Sequence, residues 1–285
     1  MMAPQVFVLS GMGINCERET AAALRLAGAS VDIVHISSLL LGRSSLQDAQ
    51  LVVFPGGFSF GDHLGAGQAL ANRIRYRQMP SSQTLFTELA TFVDDGGFLL
   101  GICNGFQVLA KLGLVPNTRG KHIQEVSLAE NLSGRYENRW CRLATATDGP
   151  ARSLASPEPI ELPVRHGEGR VVFRDRAIRQ SVIDQSLNWL TYVSQDGVPA
   201  TAFPENPNGA DLSCAGLCDP TGHVFGLMPH PEAFATPYMH YNWPRRRRDE
   251  ESFERKADGL QLVRSLLRWM SQDGANTLDG PRGTL

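Results

Sequence analysis

Phe98-Leu99-Leu100-Gly101-Ile102-Cys103-Asn104-Gly105-Phe106-Gln107-Val108-Leu109-Ala110-Lys111-Leu112 is an apolar strand, a glycine-bracketed turn and the start of a helix. Cys103 stands at the turn in a Gly-x-Cys-x-Gly arrangement, where small flanking residues permit the tight, strained backbone that lifts a nucleophile out of a sheet. A cysteine at a helix N-terminus also feels its partial positive charge, which favours the reactive thiolate. A merely packed cysteine at a strand end would require neither the paired glycines nor the helix that follows.

The same alternation extends on both sides. Strands are expected over 6–9, 31–36, 51–54 and 98–102, with helices over 17–27, near 64–75 and over 84–93, the first stopping at Gly28. Alternating strands and helices imply an α/β fold with a mostly parallel sheet covered on both faces, whose functional groups gather outside the carboxyl ends of the strands. Gly11-Met12-Gly13 follows the first strand, but the third glycine of a dinucleotide fingerprint is missing, because position 16 is Cys. From about residue 137 the pattern shifts to β-like runs over 139–145, 160–165, 169–173, 189–193, 214–218 and 224–228. No linker separates the halves, so one domain over 1–272 is expected, with a β-rich second half. Residues 234–256, which include Tyr238-Met239-His240-Tyr241-Asn242-Trp243-Pro244 and Arg245 to Arg248, read as a solvated loop with a charge run or as a partner's docking surface. An amphipathic helix over 249–270 follows, with Leu260, Val263, Leu266, Leu267 and Met270 on one stripe. Residues 273–285 read as a disordered tail.

Composition bounds the function. The 285 residues carry a formal charge of −2 and are 42% apolar. That charge balance speaks against broad electrostatic binding to nucleic acid, and the apolar content supports a sizeable core. No apolar run approaches the roughly 18 residues of a membrane span, and no basic residue precedes the first apolar run, so a cytoplasmic location is expected. Five cysteines are too few and odd in number for a disulfide framework. Cys214 and Cys218 lie four residues apart on an expected strand, about 13 Å, which is too far for two thiolates on one zinc. Cys16 and Cys141 read as packed side chains.

A nucleophilic thiol needs a base and an orienting group. In Met228-Pro229-His230-Pro231-Glu232 the prolines hold the chain extended, so His230 and Glu232 can project to one side and hydrogen-bond. Pro55-Gly56-Gly57-Phe58 offers unshielded backbone N–H groups for a developing oxyanion, and the N–H of Asn104 is the second donor.

With Pro-Gly-Gly, Gly-x-Cys-x-Gly-x-Gln and Pro-His-Pro-Glu in that order, the chain resembles the class I, triad-type glutamine amidotransferases, which have a flavodoxin-like fold. Gly56 to Asp62, the Cys-Asn-Gly-Phe-Gln string at 103–107, His166-Gly167-Glu168-Gly169, Asn206-Pro207-Asn208-Gly209 and the Pro229 to Glu232 string narrow this to the glutaminase subunits of phosphoribosylformylglycinamidine synthase. The resemblance implies that Cys103 attacks the side-chain amide of glutamine, His230 protonates departing ammonia and Glu232 orients His230. Gly57 and Asn104 would form the oxyanion hole, Gln107 would help hold glutamine, and His166 would lie near the substrate pocket or partner interface. It further implies a synthetase subunit and a small accessory subunit as partners, ATP and magnesium on the synthetase, and no metal or cofactor in this chain. No phosphate loop is visible in the sequence. Ala233 stands where that family often has Arg, and residues 234–256 resemble the fused, large form of the enzyme, although the initial Met favours a free subunit. A stand-alone cysteine hydrolase would share the turn but lack Pro-His-Pro-Glu. A non-catalytic binding subunit would normally have lost Cys103, His230 or Glu232.

Overall fold

The computed structural model describes residues 3–61, 63–249, 253 and 257–278. Asp62, residues 250–252 and 254–256, and the tail over 279–285 lie outside the described residues. The first half contains β1 (Gln5–Ser10), α1 (Glu17–Leu26), β2 (Ser30–His35), α2 (Ile36–Leu40), β3 (Leu51–Phe54), α3 (Gln68–Tyr76), α4 (Leu85–Asp94), β4 (Phe98–Ile102) and α5 (Asn104–Lys111). The second half contains β5 (Val126–Glu130), β6 (Glu137–Thr145), β7 (Ile160–His166), β8 (Glu168–Phe173), α6 (Arg176–Asp184), β9 (Leu190–Tyr192), β10 (Cys214–Cys218) and β11 (Val224–Leu227). Two further helices, α7 (Trp243–Asp249) and α8 (Asp258–Leu278), close the chain.

Nine strands form one sheet in the order β2-β1-β3-β4-β11-β10-β9-β6-β7. The first five run parallel, and the last four are added antiparallel. Every residue of β3, β4 and β11 is buried, as expected for parallel strands covered on both faces, whereas the edge strand β2 buries only Val31 and Val34. β5 and β8 pair separately as a small antiparallel sheet.

Helix ends follow local chemistry. Thr84 Oγ1 accepts the N–H of Thr87 at 3.2 Å to start α4, and Asp175 accepts that of Ile178 at 2.9 Å to start α6. Glu17 and Glu19 lie in the first turn of α1, complementing its dipole.

Four differences from the sequence reading have physical causes. α2, β5 and α6 are too short or too polar to show a clear period. Residues 234–249 are only in part a solvated loop: Trp140 of β6 packs against Phe234, His240 and Tyr241, with ring centroids 5.1, 4.4 and 5.9 Å away, while 243–249 form α7, which buries none of its residues. The helix expected over 249–270 corresponds to α8, which begins at Asp258, and α7 lies within the segment expected as a loop. α8 also continues to Leu278, past the start of the expected tail.

α8 packs over the sheet, where Trp269 meets Phe98 and Phe225 edge-on. Its first turn abuts the loop after β11: a Cβ on Gly259 would stand 1.9 Å from the Pro231 carbonyl oxygen. Among the described residues no helix is long and apolar enough to cross a membrane.

Candidate active site

The turn between β4 and α5 is built around two absent side chains. A Cβ on Gly101 would lie 2.7 Å from the backbone of Gly105 and Phe106, and one on Gly105 would lie 1.9 Å from the Phe54 carbonyl oxygen. The helix therefore starts hard against the strand ends, and Cys103 is forced to φ 50° and ψ −102°. Strain of this kind persists only where the surrounding structure over-determines it. The Cys103 N–H donates to Leu227 of β11 at 2.7 Å, and its thiol donates to the Arg165 carbonyl of β7 at 3.6 Å.

His230 follows β11 directly. Its N–H donates to the Pro163 carbonyl at 2.8 Å, and its Nδ1 lies 2.5 Å from Glu232 Oε1. Both side chains are about fully buried. Burial works against charge on His230, but the Glu232 carboxylate, with Cys103 and Cys16 beside the ring, outweighs it and raises the pKa well above the ordinary histidine value. The imidazolium is the held form.

Gly56 and Gly57 sit at the end of β3, next to the ring. A Cβ on Gly56 would stand 2.8 Å from His230 Cε1. The loop is anchored to residues 13–16: the Asn15 and Cys16 N–H groups donate to the Gly56 carbonyl at 3.3 and 3.2 Å, and Phe58 N–H donates to Gly13 at 2.9 Å. The Gly57 N–H has no carbonyl partner among the described residues, and the Asn104 N–H, first in α5, falls outside the helix ladder. The Asn104 side chain ties these parts together. Its Oδ1 accepts the Ser59 N–H at 3.2 Å, while its Nδ2 donates to Gln107 Oε1 at 2.9 Å. Gln107 in turn donates to the Glu168 carbonyl at 2.6 Å, so both ends of its amide are engaged in holding the site. Glu168 Oε2 accepts the Ala66 N–H at 3.0 Å.

His166 is buried at the end of β7, with Nδ1 3.0 Å from Asn131 Oδ1. Burial, reinforced by the neighbouring charge on His230, lowers its pKa to about 3, so it is neutral. A cavity of ≈ 270 Å³ with Phe58, Arg135, Tyr136 and Glu168 among its walls lies on this side of the sheet. Burial and then the Cys103 sulfur raise the Tyr136 pKa. A larger cavity of ≈ 620 Å³, walled by Gln50, Gly97, Phe98 and Met270, lies at the opposite, amino ends of β3 and β4. Its size does not make it the site, because the converging polar groups and the strained cysteine are at the carboxyl ends.

Cys103, His230, Glu232, Gly57, Asn104, Gln107 and His166 thus occupy one region. The sequence reading missed Cys16. Rather than simply packing in the core, it stands within 4.8 Å of ligating atoms of His230 and Glu232. Its position after the glycine turn that ends β1 was the available signal. Asn131 was also missed, because its contact with His166 depends on long-range packing. Cys141, Cys214 and Cys218 are buried free thiols. Burial pushes Cys141 up to about 12 and raises the other two as well.

Residues 3–270 match the family described as a CobB/CobQ-like glutamine amidotransferase domain. The phosphoribosylformylglycinamidine synthase subunit PurQ of Dehalococcoides mccartyi is 36% identical over 95% of this chain and 100% of its own length. The same subunit of Methanococcus maripaludis is 42% identical over 81% of this chain and 82% of its own. Among solved structures, one chain of PurLQS from Thermotoga maritima superposes with a TM-score of 0.66 at 29% identity, covering 94% of this chain and 100% of that one. Fold, strained cysteine and sequence relationship agree: the chain belongs to the class I glutamine amidotransferases, in the branch formed by the glutaminase subunits of phosphoribosylformylglycinamidine synthase.

Proposed function

We propose that Cys103 is the nucleophile and that His230 and Glu232 complete a triad which hydrolyses glutamine to glutamate and ammonia. The observation that carries this reading is the strained Cys103 beside a buried His230–Glu232 pair. The Cys103 sulfur attacks the carbon of the glutamine side-chain amide. The oxyanion that develops meets the N–H groups of Gly57 and Asn104. As the tetrahedral intermediate collapses, the C–N bond breaks, His230 delivers its proton to the leaving nitrogen, and ammonia departs from a thioester. Water, deprotonated by the now neutral His230, then attacks the thioester carbon; glutamate leaves, and the thiolate and imidazolium are restored together. Glu232 stabilises the charged ring and fixes its orientation, as carboxylates do in triads on unrelated folds.

Ammonia passes to a synthetase subunit, which uses ATP and magnesium to convert formylglycinamide ribonucleotide to the amidine in cytoplasmic purine synthesis, with a small accessory subunit in the complex. The names of the relatives support the part of this reading that makes the chain one subunit of a synthase complex beside a synthetase. Glutamate release from glutamine is the test, for the wild type and Cys103→Ala, each alone and with a synthetase, ATP and formylglycinamide ribonucleotide. Release that requires Cys103 is expected. A Cys103→Ala complex supplied with ammonia should still form the amidine, and its failure to do so would overturn the division of labour.

A further inference from the structure

Cys16 takes no part in the steps above, yet it shares a small buried volume with two groups that do. Its sulfur, a His230 ring nitrogen and a Glu232 carboxylate oxygen all lie within 4.8 Å of one another. We propose that Cys16, His230 and Glu232 form a binding site for a thiophilic divalent cation, best matched by zinc, whose occupation silences the glutaminase. The inhibition rests on the function proposed for His230 and Glu232; the binding does not.

Three observations support the site. Zinc with bonds of about 2.0–2.3 Å in a tetrahedral arrangement holds its ligands about 3.3–3.8 Å apart, so shifts on the order of 1 Å would gather these three atoms. One sulfur, one imidazole nitrogen and one carboxylate oxygen are a donor set that suits zinc and leaves a fourth position open. The cation would enter on the Nδ1 side of His230, where the ring already meets Glu232, and among the described residues Glu232 Oε2 is buried there without a hydrogen-bond partner, a costly condition that a cation would relieve. Cys16 is held in place independently, through its own N–H on the Gly56 carbonyl and its thiol on Asn15 Oδ1 at 3.3 Å.

Binding exchanges protons for metal without any redox change. The Cys16 thiol and the imidazolium each release one proton to water, and one divalent cation enters. With the cation between them, Glu232 no longer holds charge on the ring, and the neutral, coordinated His230 is too weak an acid to protonate departing ammonia.

The test is competition between the full chain and a chromogenic chelator for zinc, alongside glutamate release measured with and without zinc and after addition of excess EDTA. One zinc per chain is expected. Cys16→Ala should weaken binding at least tenfold, while Cys103→Ala should keep most of it. Each variant's hydrolysis is compared with its own zinc-free rate, and Cys16→Ala should keep turning over at zinc concentrations that stop the wild type. Cys16→Ser is the second variant if the alanine form does not fold. Cobalt as a probe should give a sulfur-to-metal charge-transfer band that Cys16→Ala lacks. Equal zinc affinity in the wild type and Cys16→Ala would overturn the proposal, as would loss of binding in Cys103→Ala alone. A wild type that binds one zinc through Cys16 but never hydrolyses glutamine would overturn the proposed function and leave the metal site standing.

Discussion

Asn131 fixes the protonation of His166. Its Nδ2 donates to the carbonyls of Arg135 and His166, both at 2.8 Å, so its Oδ1 must face the ring nitrogen 3.0 Å away. His166 therefore carries its proton on Nδ1 and presents a bare Nε2, which has no partner among the described residues. The folded chain keeps this ring neutral down to pH about 3, whereas an unfolded histidine binds a proton near its model value of 6.5. Between these values the unfolded state holds more protons. The stability contributed is complete above about pH 6.5 and is lost as pH falls toward 3. Between about pH 7.5 and pH 5 the loss should be about 2 kcal/mol. Urea unfolding of the wild type and His166→Gln at both pH values checks this, and equal losses in the two proteins would refute it.

Gly105→Ala should be among the most damaging single-methyl additions in the chain. Its Cβ would lie 1.9 Å from the Phe54 carbonyl, and backbone on both sides cannot retreat. A cost of about 3 kcal/mol or more is expected. Gly28 makes the control. Its φ is +105°, but nothing lies within 4 Å of a new Cβ, so Gly28→Ala should cost only about 1 kcal/mol of backbone strain. Denaturation midpoints of the two variants would measure the gap.

Glu232→Gln keeps the shape of the side chain but removes the carboxylate that holds charge on His230. The His230 pKa should fall, because burial is then opposed by less. Glutamine hydrolysis should drop on the order of 10⁴-fold, the loss seen when a triad's orienting carboxylate is made neutral. NMR titration of the ring would report the first change and glutamate release the second.

Gln107→Leu should impair the site without touching the nucleophile. The variant loses the bonds from Asn104 and to the Glu168 carbonyl and leaves both partners buried. That should cost about 1–3 kcal/mol for each group left unsatisfied. It should also lower kcat, since Asn104 holds the Ser59 N–H and hence the Gly57 loop. A variant with unchanged kcat and a raised KM would show instead that Gln107 binds glutamine directly.

Strong local patterns in the sequence were sufficient for much of this architecture. β3 and β4 are continuous apolar runs, the Gly101 and Gly105 bracket marked the turn at Cys103, and the prolines around His230 kept it near Glu232. What could not be read depended on distance in sequence. Cys16 gains its neighbours only because residues 13–16 pair with the loop after β3. Gln107 is an available amide in the sequence but a fully occupied one in the fold. Residues 234–241 have the composition of a solvated loop, and the Trp140 face of β6 explains why Phe234 and His240 pack instead.

The close fit of Gly259 against Pro231 has a consequence for biosynthesis. The loop bearing His230 and Glu232 is backed by a helix that begins at Asp258, some 150 residues after Cys103 has left the ribosome. A nascent chain can assemble the parallel strands and present its thiol long before the acid–base pair has its backing. Glutaminase competence would then wait until the chain beyond Asp258 has been made, so that a nascent chain lacking α8 does not consume glutamine.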